Sequence, residues 1–125
     1  MKTAVSTLIL ATTLVLVDGI YLNLIKNYFG NQIQLVQGSP MRLNLTATIL
    51  VYIFVVCQVQ YFIIQKRASV SDAFLLGILT YGIFELTNMA LFKNWKAMSV
   101  IIDTLWGGIL YAVATYVVYK LHKYF

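Results

Sequence analysis

Three carboxylic acids stand where acids are costly. Asp18 lies in "LVDGIYL", Glu85 in "YGIFELTNMALFKNW" and Asp103 in "VIIDTLWGGIL", each among residues apolar enough to live in lipid. A carboxylate at the bilayer centre costs about 2.5–3.5 kcal/mol on the insertion scale, so such groups face inward, pair with a partner or hold a proton, and they mark ion and substrate pathways. Asn88 follows Glu85 by three residues and Tyr81 precedes it by four, which places all three on one helical face. Trp106 is related to Asp103 in the same way, and Arg42 is the one base positioned to enter from the same side. Three like charges in a low-dielectric layer disfavour simultaneous ionisation, so at least one acid is expected to hold a proton near neutral pH and the three to titrate together. The candidate proton- or ligand-binding set is Asp18, Arg42, Tyr81, Glu85, Asn88, Asp103 and Trp106. Within it Asp18, Glu85 and Asp103 are the candidate catalytic acids. The plainer reading is helix-to-helix glue, but an intramembrane polar contact contributes only about 0.6 to 2 kcal/mol. Three acids at one depth exceed what glue requires.

The elements that must position these acids are transmembrane helices. Of the 125 residues, 61% are hydrophobic and 10% charged, with a mean hydropathy of +0.82. A water-soluble domain carries roughly a quarter of its residues as charges, so this is an integral membrane protein occupying the lipid bilayer. Four runs, near 4–25, 44–65, 70–92 and 98–119, reach the roughly 20 residues a spanning helix needs. They predict a single all-α transmembrane domain over 1–125, an up-down-up-down four-helix bundle with both termini on one side. Counting along these spans puts Asp18 and Glu85 about 10 Å, and Asp103 about 8 Å, below the face opposite the termini. The turns after the second and third spans are short, which predicts antiparallel neighbours. The longer connection over 26–43, "KNYFGNQIQLVQGSPMR", reads as a loop or lid with Tyr28, Phe29, Ile33, Leu35 and Val36 on the membrane surface.

Lys2 before an apolar run resembles a signal peptide. The run continues past Asp18 to Ile25 without a small-x-small site, so a retained first helix is expected. Lys2, Lys66, Arg67, Lys120 and Lys123 fall on the terminal side and Lys26, Arg42, Lys93 and Lys96 on the other, which places the termini in the cytoplasm by a margin of one. These bases flank apolar runs as interfacial anchors and form no patch for nucleic acid. Cys57 is alone and His122 is the single histidine, so neither a disulfide nor a metal site is expected. No motif implies a cofactor. Asp72 in "SVSD" reads as the acidic first turn of the third helix. Gly77, Gly82, Gly107 and Gly108 read as close-approach positions, and Trp95, Tyr119, Tyr124 and Phe125 as interfacial aromatics. "VLVDGIYLNL" and "VIIDTLWGGI" share an Asp-x-x-aromatic core on helices of opposite direction, the pattern of an inverted repeat.

Taken together, "LVDGIYL", "YGIFELTNMALFKNW" and "VIIDTLWGGIL" resemble the signatures of the predicted-membrane-protein family called domain of unknown function 2177. The resemblance implies a small four-helix membrane protein with Asp18, Glu85, Leu86, Thr87, Asn88, Trp95, Asp103, Trp106 and Gly107 on the family's motif positions. Tyr21 stands where the family has tryptophan, Glu85 where it has aspartate, and Phe84 where tyrosine is common. No activity comes with the resemblance.

Two classes of function compete. One is proton- or cation-linked transport or binding at the acidic pocket, for which a chain this small would need a homo-oligomer to form a pathway. The other is an intramembrane acid/base enzyme or lipid-binding protein, with one acid protonated and another ionised. Hydrolysis is disfavoured because nucleophile and metal motifs are absent. A structural subunit of a membrane assembly is the third reading. Transport requires polar access from the acids to the terminal side. A lipid ligand requires a recess opening sideways into the bilayer, and a scaffold requires no recess.

Overall fold

The computed structural model describes residues 2–124, so Phe125 lies outside the described residues. Helix α1 spans Thr3–Gln37, α2 Leu45–Val59, α3 Val70–Leu91 and α4 Ala97–Leu121. α2 continues through one π-helical turn, Gln60–Ile64, and α4 ends in a 3₁₀ turn, His122–Tyr124. All four are long and apolar enough to cross a membrane. Their outer surfaces suit lipid: Leu8, Leu16, Leu24, Phe54, Ile83 and Leu91 are each more than 60% exposed.

The helix ends follow from local chemistry. The Asn44 side chain accepts from the Ala47 N–H at 3.0 Å to open α2, and Ser69 accepts from the Asp72 N–H at 3.0 Å to open α3. Asp72 occupies the first turn of α3, where it complements the helix dipole. α1 stops at Gly38, whose φ of 75° is the left-handed conformation glycine adopts freely and whose N–H returns to the Gln34 carbonyl.

α1 corrects one expectation. The segment 26–37 is helix, continuous with the first span, and α1 reaches about 52 Å. Tyr28, Phe29, Gly30, Gln32, Ile33 and Val36 are the buried or half-buried positions of 26–37, the spacing of a helix with one covered face. The apolar run of the first span ends at Ile25, but the helix does not end with it.

The order of packing corrects a second. α3 and α4 make the most extensive contact, α4 also packs on α1, and α1 on α2, whereas α2 and α3 barely touch despite their short connection. Glycine decides this. A Cβ on Gly77 would run into the Gly107 carbonyl and the Gly108 Cα, and one on Gly107 into the Tyr81 ring, so the two backbones approach as only small residues allow. The α2 surface toward α3 carries Val51, Phe54 and Val55 instead and stands off. Beneath the acids, Leu10, Leu14, Val59, Ile63, Ile64, Leu110, Ala114 and Val118 close an apolar core on the terminal-side half.

Candidate functional site

α1, α3 and α4 bring Asp18, Glu85 and Asp103 into one buried neighbourhood. Glu85 is 1% exposed. The Asp103 carboxyl is its acidic neighbour, and two adjacent carboxyls disfavour simultaneous ionisation. The Trp95 indole N–H donates to Glu85 Oε1 at 3.0 Å. Asp18 is 8% exposed and is held by two neutral donors. The Tyr52 hydroxyl reaches Oδ2 at 2.5 Å and the Trp106 indole N–H reaches Oδ1 at 2.9 Å. Both bonds suit an ionised carboxylate, which accepts through both oxygens.

α1 and α4 exchange donors. Tyr21, one turn after Asp18, donates to Asp103 Oδ1 at 3.2 Å, and Trp106, one turn after Asp103, donates to Asp18. Between them the two rings stack with centroids 4.4 Å apart and planes 4° from parallel. The repeated Asp-x-x-aromatic pattern is therefore one interlocked unit: each helix supplies the donor for the other's acid.

The loop-side extension of α1 supports the site from above. Gln32, 2% exposed, donates to the Asn94 carbonyl at 2.8 Å and accepts from the Lys96 N–H at 2.9 Å and the Ser99 hydroxyl at 2.5 Å. The Tyr28 hydroxyl donates to the Ser99 oxygen at 3.2 Å, since the one Ser99 proton goes to Gln32. These bonds fix the α3–α4 connection, where Asn94 adopts a φ of 66°, and so fix Trp95 over Glu85.

Of the remaining candidates, Arg42 and Asn88 lie apart from the cluster and Tyr81 borders it. Arg42 is exposed in the link before α2, and among the described residues no base forms an ion pair with an acid of the cluster; Tyr52 and Trp106 meet Asp18 instead. Asn88 makes no side-chain hydrogen bond among the described residues and lines a loop-side cavity of about 490 Å³ with Phe84, Phe92 and Trp95. Tyr81 lines a recess of about 300 Å³ together with Asp103. Tyr21, Tyr52, Gln32 and Trp95 were not among the sequence-derived site residues. Trp95 was expected at the membrane interface but is 9% exposed and turned inward. The signal for Tyr21 was the Asp-x-x-aromatic repeat; nothing local distinguishes Tyr52.

Several deeper polar groups satisfy one another, whereas the buried Thr104 and Thr115 hydroxyls have no partner among the described residues. The Tyr111 hydroxyl donates to Gln58 Oε1, Gln58 donates to the Thr80 hydroxyl at 2.9 Å, and Thr80 donates to the Leu76 carbonyl at 2.8 Å. Near the termini, Gln60 donates to the Ser6 and Thr7 hydroxyls at 3.0 and 2.5 Å. No three His, Cys, Asp or Glu side chains among the described residues converge as a metal site would need.

None of the curated proteins and none of the solved structures matches the chain. A family model, described as "Predicted membrane protein (DUF2177)", matches residues 3–120. With four spans and this nearly full-length match, the chain belongs to the DUF2177 family of integral, multi-pass membrane proteins.

Proposed function

We propose that the protein binds a membrane-borne ligand in a proton-linked manner at the Glu85–Asp103 pair. The closeness of buried Glu85 to half-buried Asp103 carries this reading, because neighbouring carboxyls with no base paired to them disfavour being ionised together. Asp18 accepts from its two neutral donors beside the pair, and the pair gains or loses a proton as a ligand arrives. Splitting neighbouring carboxyls into an ionised and a protonated role is also how acid/base sites are built, so chemistry on the ligand is the second reading. Transmembrane passage of a solute is less favoured because apolar side chains fill the terminal-side half.

Infrared titration of the reconstituted protein tests the proposal. A band from a protonated carboxyl is expected at low pH, declining as pH rises, and lost in Glu85→Gln or Asp103→Asn but retained in Asp18→Asn. A spectrum that is invariant with pH, or a titrating band lost only in Asp18→Asn, would sink the assignment.

A further inference from the structure

The seam that α2 and α3 leave open is a groove with a polar end. Its outer chamber, about 590 Å³, is lined by Leu50, Val51, Phe54, Val55, Gln58 and Thr80. Val51, Val55 and Thr80 also line the inner recess, where Tyr81, Phe84 and Asp103 complete the wall. The two chambers thus form one path from the lipid-facing surface to a carboxyl of the Glu85–Asp103 pair.

We infer that this groove holds the tail of a neutral single-chain lipid, whose hydroxyl or carbonyl group meets Asp103. The proton-linked reading above supplies the chemistry of the head; the tail site stands on the groove itself.

Three observations select that occupant. The lining residues belong to membrane-spanning helices, so what fills the groove comes from the hydrocarbon phase. Gln58 and Thr80, the polar residues of the outer chamber, are engaged with Tyr111, with each other and with Leu76, which leaves that stretch suited to methylene groups. Asp103 is the polar group at the inner end, and the groups around it are acidic or neutral: Asp18 and Tyr21 of α1 and Glu85 and Tyr81 of α3, while Tyr52 of α2 and Trp106 of α4 sit on the neighbouring Asp18. An anionic head would meet like charge with no base to offset it. A hydroxyl or carbonyl can exchange hydrogen bonds with a protonated carboxyl.

From Leu50 to Gln58 the groove follows α2 for about 12 Å. A chamber of this size matches ordinary small-ligand sites, roughly 300–1,000 Å³.

Photolabelling in phosphatidylcholine nanodiscs tests the inference, with a long-chain alcohol carrying a mid-chain diazirine as the probe. Saturable labelling is expected at Val51, Phe54, Val55 and Thr80, displaced by unlabelled alcohol at concentrations about tenfold lower than by the carboxylate of equal length. Leu50→Trp, at a half-exposed position that lines the outer chamber and not the recess of Asp103, is expected to remove the saturable labelling and leave the infrared titration intact. Labelling spread evenly over lipid-facing sites such as Leu8, Leu24 and Ile83 overturns the inference. So do chain-to-chain crosslinks through Val51 and Phe54, which place a second copy there, and so does equal competition by the carboxylate. A titrating carboxyl band beside an unlabelled groove removes the tail site alone; a labelled groove without a titrating band removes the proton-linked reading alone.

Discussion

Tyr21 and Trp106 stack face to face, 4.4 Å between centroids, while each donates a hydrogen bond to the aspartate that precedes the other by three residues. One aromatic pair thereby sets the spacing of two helices and the orientation of two acids. Because α1 and α4 run oppositely, the arrangement has the character of a local two-fold, and neither half can be removed without releasing an acid in the other.

That interlock makes the two residues energetically coupled. Trp106→Phe leaves Asp18 with Tyr52 alone and is expected to cost about 1–2 kcal/mol, the upper range for an intramembrane polar contact. Tyr21→Phe is expected to cost less, since its 3.2 Å bond is longer. A cycle that removes the rings, Tyr21→Leu with Trp106→Leu, should differ from the sum of its single variants by about 0.5–1.5 kcal/mol. Reversible unfolding in mixed detergent micelles measures all of these, and strict additivity in the cycle would show that the stack carries no coupling.

Glycine positions on α3 are not equivalent. A Cβ at Gly77 meets the backbone of Gly107 and Gly108, which cannot yield, whereas one at Gly82 meets the Thr104 methyl at 3.4 Å, an ordinary contact. Gly77→Ala is expected to lose about 1–3 kcal/mol of stability by overpacking. Gly82→Ala should be neutral or gain up to about 1 kcal/mol from helix propensity. The same unfolding assay decides, and equal effects at the two sites would contradict the packing.

Removing Gln32 strips partners from the Asn94 carbonyl, the Lys96 N–H and the Ser99 hydroxyl at once. Gln32→Leu is expected to destabilise by about 1–3 kcal/mol, since buried polar groups are left unpaired. Hydrogen exchange over residues 92–96 should accelerate, and the Trp95 emission should shift to the red as its ring meets water. Unchanged exchange there would show that the connection holds its shape without α1.

The helical extension of α1 has a direct chemical signature. Single cysteines placed from Lys26 to Gln37 should react with a water-soluble maleimide at Asn27, Asn31, Gln34 and Leu35, the exposed face, and resist it at Tyr28 and Gln32. A uniform reactivity profile would indicate a loop.

Much of this protein is legible in its sequence because membrane insertion is a matter of length and composition. Four apolar runs fix four spans, since an unpaired backbone cannot remain in lipid, and their bounds fall within a few residues of the observed helices except at the end of α1. The common depth of Asp18, Glu85 and Asp103 follows by counting residues at a fixed rise. The extension of α1 was also encoded, in the spacing of Ile25, Phe29, Ile33 and Val36 and in the Gly38-Ser39-Pro40 stop, but asparagines and Gly30 obscured it.

What the sequence by itself determined is therefore one-dimensional: which segments cross, where each ends and how deep each acid sits. The tertiary structure alone decided which helices touch, because that depends on backbone approach, and the glycines of α3 and α4 draw those helices together while the bulk on α2 holds it off. From that choice follow the partners of the acids. Tyr52, Trp95 and Trp106 reach carboxyls 34, 10 and 88 residues away, distances over which sequence spacing carries no geometry. The open seam beside Asp103 follows as well, because a cavity is the space that packing leaves.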